Sequence, residues 1–234
     1  MPHIVSAFDS DLQLLQAKIA EMGGLAEELL AHALEAIQKR DEALGLQVID
    51  RDKALDQMEQ ELERLSIRTL ALRQPMAVDL RETISALKIA STLERIGDLS
   101  KNIARRAQFL TRNQPIRLAA PVVRMGRQTL VQLTEVLDAY AARDTGLAAA
   151  VWRKDVEVDE MYNSLFRELI TYMMEDNRTI SLCSQLMFVA KNLERIGDHT
   201  TFIAEMTYYV VEGEKLGDDR PKGEPIDAML DFDV

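Results

Sequence analysis

The chain has 234 residues, of which 47% are hydrophobic and 29% charged, and a formal net charge of −11. That is enough apolar material for a sizeable core. Ten glycines, six prolines and few Val-Ile-Thr runs exclude a β-sandwich or barrel, no apolar run nears the ~18 residues of a membrane span, and the acidity disfavours nucleic acid as a partner.

Helical periodicity predicts six long helices in chain order. The first three run over about 6–39, 42–72 and 78–110, the second three over about 121–142, 145–174 and 179–211. Asp41 and Asp144 stand where N-caps would start the second and fifth helices. Pro75 marks one turn, Glu175 to Arg178 another, and residues 111–120, with Pro115, form a linker. Self-comparison explains the symmetry of this list. Met22-Gly23, Arg40-Asp41, Asp52, Asp56, Met58 and Leu62 recur 103 residues later as Met125-Gly126, Arg143-Asp144, Asp155, Asp159, Met161 and Leu165. The block Leu93 to Asp98 (LERIGD) recurs letter for letter 100 residues later, at Leu193 to Asp198. The register loses three residues between the two sets, where the turns lie. The expected fold is therefore all-α, two tandem three-helix bundles related by an internal repeat and packed side by side. The bundles span residues 1–113 and 114–212, and 213–234 form an acidic mobile tail. Cys183, near Leu182, Leu186 and Met187, reads as buried packing and cannot form an internal disulfide. No signal peptide is visible in Met1 to Ser10, so the expected location is cytoplasmic.

Charge is unevenly spread. Between Leu99 and Thr134 there is no acid, only Lys101, Arg105, Arg106, Arg112, Arg117, Arg124 and Arg127. This segment is either a docking surface for an acidic partner or a helix C-terminus and solvated linker complemented by arginine.

The acids form the more specific pattern. Glu94 and Asp98 share a helix face, as do Asp52 and Asp56. In an antiparallel hairpin Asp52 and Asp98 are equidistant from Pro75, and so are Asp56 and Glu94. Both pairs therefore lie at one level, roughly 30 Å from the turn at ~1.5 Å per residue. Asp155 with Asp198, and Asp159 with Glu194, centre in the same way between Asp176 and Asn177. Glu94 and Asp98 fall on the stripe of Leu80, Ile84 and Leu87, an expected interhelical seam. Gathered carboxylates raise their pKa values or demand a cation. Oxygen ligands favour Mg, Mn, Ca or Fe ions over zinc. A single such pair is ordinarily a solvated helix face, and Arg95, Arg195, Arg81 or Lys53 could neutralise part of the charge; the duplication favours a cation site. Mid-helix Gly97 and Gly197 suggest close helix approach beside the acids. No phosphate loop, nucleophile elbow, CxxC or HExxH is present.

The two LERIGD blocks, with Asn102-Ile-Ala-Arg after the first, His199 after the second and Asp79-Leu-Arg81 ahead of the first, resemble the signature of the PhoU family. The resemblance covers about residues 5 to 212. It implies paired three-helix bundles, dimerisation and metal clusters held by Asp52, Asp56, Glu94, Asp98, Asp155, Asp159, Glu194 and Asp198. It further implies negative regulation of the phosphate-starvation response, as an adaptor between a sensor histidine kinase and the ATPase of a phosphate ABC transporter, peripheral to inner-membrane complexes. One departure is Phe202, where the family's second block has Asn; Glu205 is retained. The rival expectation is a metal-dependent phosphatase or oxidase built on the same carboxylates.

Overall fold

A computed structural model describes residues 2–217, with side chains from Ser10 onward. The expected tail falls almost wholly beyond the described residues. Six α-helices account for nearly all of the rest: α1 Pro2–Lys39, α2 Glu42–Arg73, α3 Val78–Arg112, α4 Ala119–Ala142, α5 Thr145–Glu175 and α6 Ile180–Glu212. The two expected caps are in place. Asp41 accepts from the Leu44 N–H at 3.0 Å and Asp144 from the Leu147 N–H at 2.9 Å. Each satisfies an amide that the first helical turn would leave open. The residue before each cap, Arg40 and Arg143, adopts a positive φ of 56° and 54°, which ends the preceding helix. The three lost residues come off the helix ends: both connections are four residues long, 74–77 and 176–179, but α5 ends one residue sooner and α6 starts two residues later than repeat register places them. The α2–α3 turn passes through Gln74 at φ 48° and Ala77 at φ 50°, whereas the second copy closes with a short 3-10 turn over Asn177–Thr179. Gly213, at φ 80°, stops α6 and donates its N–H to the Tyr209 carbonyl.

Helices α3 and α6 lie at the centre. Each packs on both partners of its own bundle and on the other; α2 and α5 lie on the outer flanks. Buried residues from all six helices form a single apolar cluster, so the two copies share one core. The stripe of Leu80, Ile84 and Leu87 is not the core seam of α3. Leu80 is 41% exposed, and the buried face runs instead through Ile89, Leu93, Ile96 and Ile103. Ile84, on the first stripe, lines a cleft with Met206 and Tyr209 of α6.

Two contacts define how the copies meet. A side chain at Gly126 would run into Leu34, and a Cβ at Gly23 would stand 2.9 Å from Leu137 Cδ1. Gly23 and Gly126 are repeat-equivalent, and so are Leu34 and Leu137. The contact is reciprocal, as at an isologous two-fold interface. Arg143 adds a polar tie, donating from Nη2 to both oxygens of the buried Glu82 at 2.7 Å.

These glycines predict substitutions of opposite sign. Gly24, one residue on from Gly23, has nothing within 4 Å of a new Cβ. Gly24→Ala should stabilise the chain by roughly 0.5–1 kcal/mol, because Gly mid-helix is intrinsically poor. Gly126→Ala should destabilise it by about 1–3 kcal/mol through overpacking against Leu34. Urea unfolding of the two variants checks the pair, and shifts of the same sign would refute the contact.

Candidate cation-binding carboxylate sites

The level arithmetic holds in three dimensions. In the first copy Asp52 is 2% exposed, held where Gly97 lets α3 come close; a Cβ there would lie 3.1 Å from Asp52 Oδ1 and collide with Leu55. Asp56 and Asp98 stand near enough to act electrostatically on both Asp52 and Glu94. The second copy repeats the arrangement. Asp155 is 1% exposed, and a Cβ on Gly197 would sit 3.2 Å from its Oδ1. Glu194 feels the charges of Asp198 and Asp159. All eight predicted carboxylates thus fall into two equivalent groups of four, at the α2–α3 and α5–α6 contacts.

Two of the four bases expected to neutralise these acids are engaged elsewhere. Lys53 pairs with Asp50 at 2.8 Å, and Arg81 donates to the Val210 carbonyl with its guanidinium 6.0 Å from the Tyr209 ring. In the first copy it is Lys101 that bridges Asp52 and Asp98 with its ammonium. In the second Lys191 binds Glu194 at 2.8 Å and lies 5.2 Å from the Tyr162 ring. These lysines are not repeat-equivalent: Thr201 and Ser91 occupy the matching positions. Both lysines were visible as three-residue neighbours of an acid on one helix face. What was missing was a reason to choose them over arginines of similar spacing.

Glu59 is a ninth carboxylate that the sequence reading missed. It acts electrostatically on Glu94, and its own pKa is raised by burial and by the charges of Glu63 and Asp56. Tyr162 and Phe166 replace Glu59 and Glu63 in the second copy, so the first site is the more acidic. Burial raises the Asp52 pKa, Lys101 opposes it, and Asp56 and Asp98 add to it; the net shift is upward. Glu94 is raised by burial and then by Asp98, Asp56, Glu59 and Asp52, with no base among the causes. Lys101 is pulled down by desolvation, but its bonds to Asp52 and Asp98 outweigh that and leave it raised. His199 is lowered, by burial and then by Arg95 and Arg195, which favours neutral imidazole.

The donor set is all oxygen and suits a hard cation. Asp52 Oδ1 is buried with no hydrogen-bond partner, a free acceptor at the centre of the first group. As the side chains stand, no three carboxylate, imidazole or thiol groups among the described residues converge into a ready cage; in the first copy the Lys101 ammonium sits between Asp52 and Asp98.

The basic segment divides among separate tasks. Lys101 serves the carboxylates, and Arg112 pairs with Glu42. Arg106 enters the seam between copies, donating to Gln185 at 2.7 Å and lying 4.3 Å from the Phe188 ring centroid. Its half-buried guanidinium is thus engaged with α6 at that seam.

The raised carboxylates give a stability prediction with a definite sign. Their folded pKa values lie above the unfolded ones, so each favours the folded state below its ordinary pKa and loses that contribution as pH rises through the raised value. Glu94→Gln should therefore stabilise the chain at pH 7 in the presence of chelator, by roughly 0.2–0.5 kcal/mol for the relieved like-charge neighbour. The gain should shrink on acidification as Glu94 of the wild type protonates. Thermal melts across pH check this, and a loss at pH 7 would contradict the geometry.

Comparison with known proteins supplies the lineage. The PhoU domain matches residues 19–107 and again 122–207, one match in each half of the repeat. The chain is 49% identical over 221 residues to the phosphate-specific transport system accessory protein PhoU homolog of Caulobacter vibrioides, covering 94% of this chain and 96% of that one. It is 37% identical over 230 residues to the Escherichia coli accessory protein PhoU, covering 97% and 94%. The crystal structure of PhoU from Pseudomonas aeruginosa superposes with a TM-score of 0.86 at 40% identity, covering 88% of this chain and all of that one. With the same domain in both halves and relatives matched almost end to end, the chain belongs to the PhoU family.

Proposed function

We propose that this chain is a cytoplasmic regulatory accessory protein of phosphate uptake whose two carboxylate groups hold hard cations. The end-to-end match to proteins named as accessories of the phosphate-specific transport system carries the first part. On this reading the chain is an adaptor without turnover of its own. It works as a homodimer between a sensor histidine kinase and the ATPase of a phosphate ABC transporter, and it keeps the starvation response off while phosphate is plentiful. No described helix is long and apolar enough to cross a membrane, in keeping with attachment through partners.

The oxygen-only donor set and the open Asp52 Oδ1 support the second part. Asp52, Asp56, Glu94 and Asp98 would hold an ion of the Mg, Mn, Ca or Fe class in the first copy, and Asp155, Asp159, Glu194 and Asp198 in the second. A bound ion would supply charge neutralisation and a link between paired helices. In the first copy it would take over the role that Lys101 plays between Asp52 and Asp98.

Two experiments test these parts separately. A strain lacking the gene should express a phosphate-starvation reporter in high phosphate, and the tagged chain should co-purify with the transporter ATPase and the kinase. A silent reporter, or phosphate release from esters by the pure manganese-loaded protein, would overturn the adaptor reading. For the cation sites, Lys101→Ala in chelator should cost about 2 kcal/mol of stability. The expected loss is below that for a fully buried pair, because the ammonium is partly solvated. Manganese should restore the variant by more than it stabilises the wild type. Equal stabilisation of both would show that the ion does not use Asp52 and Asp98.

A further inference from the structure

Away from the carboxylates, the end of α1, the end of α3 and the start of α4 enclose a cleft of about 350 Å³. Arg40, Arg117, Arg124 and Arg127 line it, with Gln38 and Gln114 and no acid. None of these arginines forms an ion pair among the described residues. Arg40 donates to the carbonyls of Thr111 and Asn113, Arg127 donates to Gln38 Oε1 at 2.7 Å, and Arg117 lies 5.3 Å from the Tyr172 ring. Elsewhere on this acidic chain Arg51, Arg73, Arg112, Arg143 and Arg178 each meet a carboxylate. The first turn of α4, which has no side-chain cap, also lines the cleft, and its dipole adds to the positive field.

The internal repeat supplies a control. The equivalent cleft of the other copy, of about 370 Å³, is lined by Gln16, Gly24, Glu27, Asp138 and Tyr140. Register places Glu21 and Gly24 opposite Arg124 and Arg127, and the counterpart of Arg40, Arg143, is tied to Glu82. The fold thus builds the cleft twice but requires arginines in neither. Four arginines without an ion pair, lining a volume at the lower end of the roughly 300–1,000 Å³ typical of small-ligand pockets, match a multiply charged phosphoryl oxyanion, whose oxygens accept paired guanidinium N–H donors.

We propose that the cleft formed by Arg40, Arg117, Arg124 and Arg127 binds a small phosphoryl anion, either free phosphate or the phosphate groups of a nucleotide-sized ester. Calorimetric titration of the full chain with inorganic phosphate and, separately, with adenosine triphosphate tests it. Binding of at least one probe should weaken by about tenfold or more in Arg124→Ala/Arg127→Ala and stay unchanged in Arg51→Ala. Response to phosphate alone identifies the free ion, and response to the nucleotide alone identifies an ester. Arg124 and Arg127 are exposed, and unchanged helicity by circular dichroism confirms that the variant folds. Equal binding by wild type and variant overturns the proposal, and so does silence with both probes. If a glutamate-rich peptide then bound through the same arginines, the cleft would be a protein-docking site instead.

Discussion

A carboxylate buried between two helices has to take up a proton or be met by positive charge, and the two halves of this chain pair their acids with different bases. Asp52 and Asp155 occupy equivalent places, each against a glycine that lets the neighbouring helix approach. The first copy bridges the buried acid with Lys101, which lies C-terminal to Asp98 on α3. In the second the lysine, Lys191, sits N-terminal to Glu194 and leans on an aromatic ring. Backbone geometry is shared between the copies, and the electrostatic solution is not. Leaving such a group charged and uncompensated costs several kcal/mol, so burial raises its pKa, as at Asp52, or recruits a base, and the choice of base is free to change after duplication.

The same division between inherited geometry and altered chemistry runs through the molecule. Reciprocal Gly–Leu contacts between α1 and α4 preserve the two-fold relation, and α3 and α6 preserve the common core. Around that frame, Arg40 and Arg143 share a left-handed backbone conformation but serve different partners. Glu59 and Glu63 become Tyr162 and Phe166, and one of two equivalent clefts gathers arginines. Packing at a glycine contact tolerates almost no change, because a methyl group already collides. Solvated positions on a helix flank tolerate nearly any change.

That contrast explains what could be read from the chain and what could not. The helices, the caps at Asp41 and Asp144, the lost register at the turn and the shared level of the acids all follow from fixed rise per residue and from repeat offsets, which survive without coordinates. Lys101 and Lys191 were harder. Their spacing to Asp98 and Glu194 was available, but Arg95 and Arg195 lie as close in sequence, and only the packed hairpin shows which side chain turns inward. Arg106 read as surface charge because its partners Gln185 and Phe188 lie some eighty residues away. The arginine cleft was hidden for the same reason, since Arg40 joins Arg124 and Arg127 only when α1 packs against α4.

The central claim is that tethered lysines balance the carboxylate groups in different ways, Lys101 bridging Asp52 and Asp98 in the first copy and Lys191 holding Glu194 in the second. Nitrogen-detected NMR of the lysine ammonium groups, titrated with pH in the presence of chelator, measures this most directly. The account predicts that Lys101 and Lys191 both titrate above the ordinary lysine value, and that the Lys101 shift falls when Asp52 is replaced by Asn. Lysines that titrate at or below the ordinary value, or a Lys101 indifferent to Asp52, would contradict it.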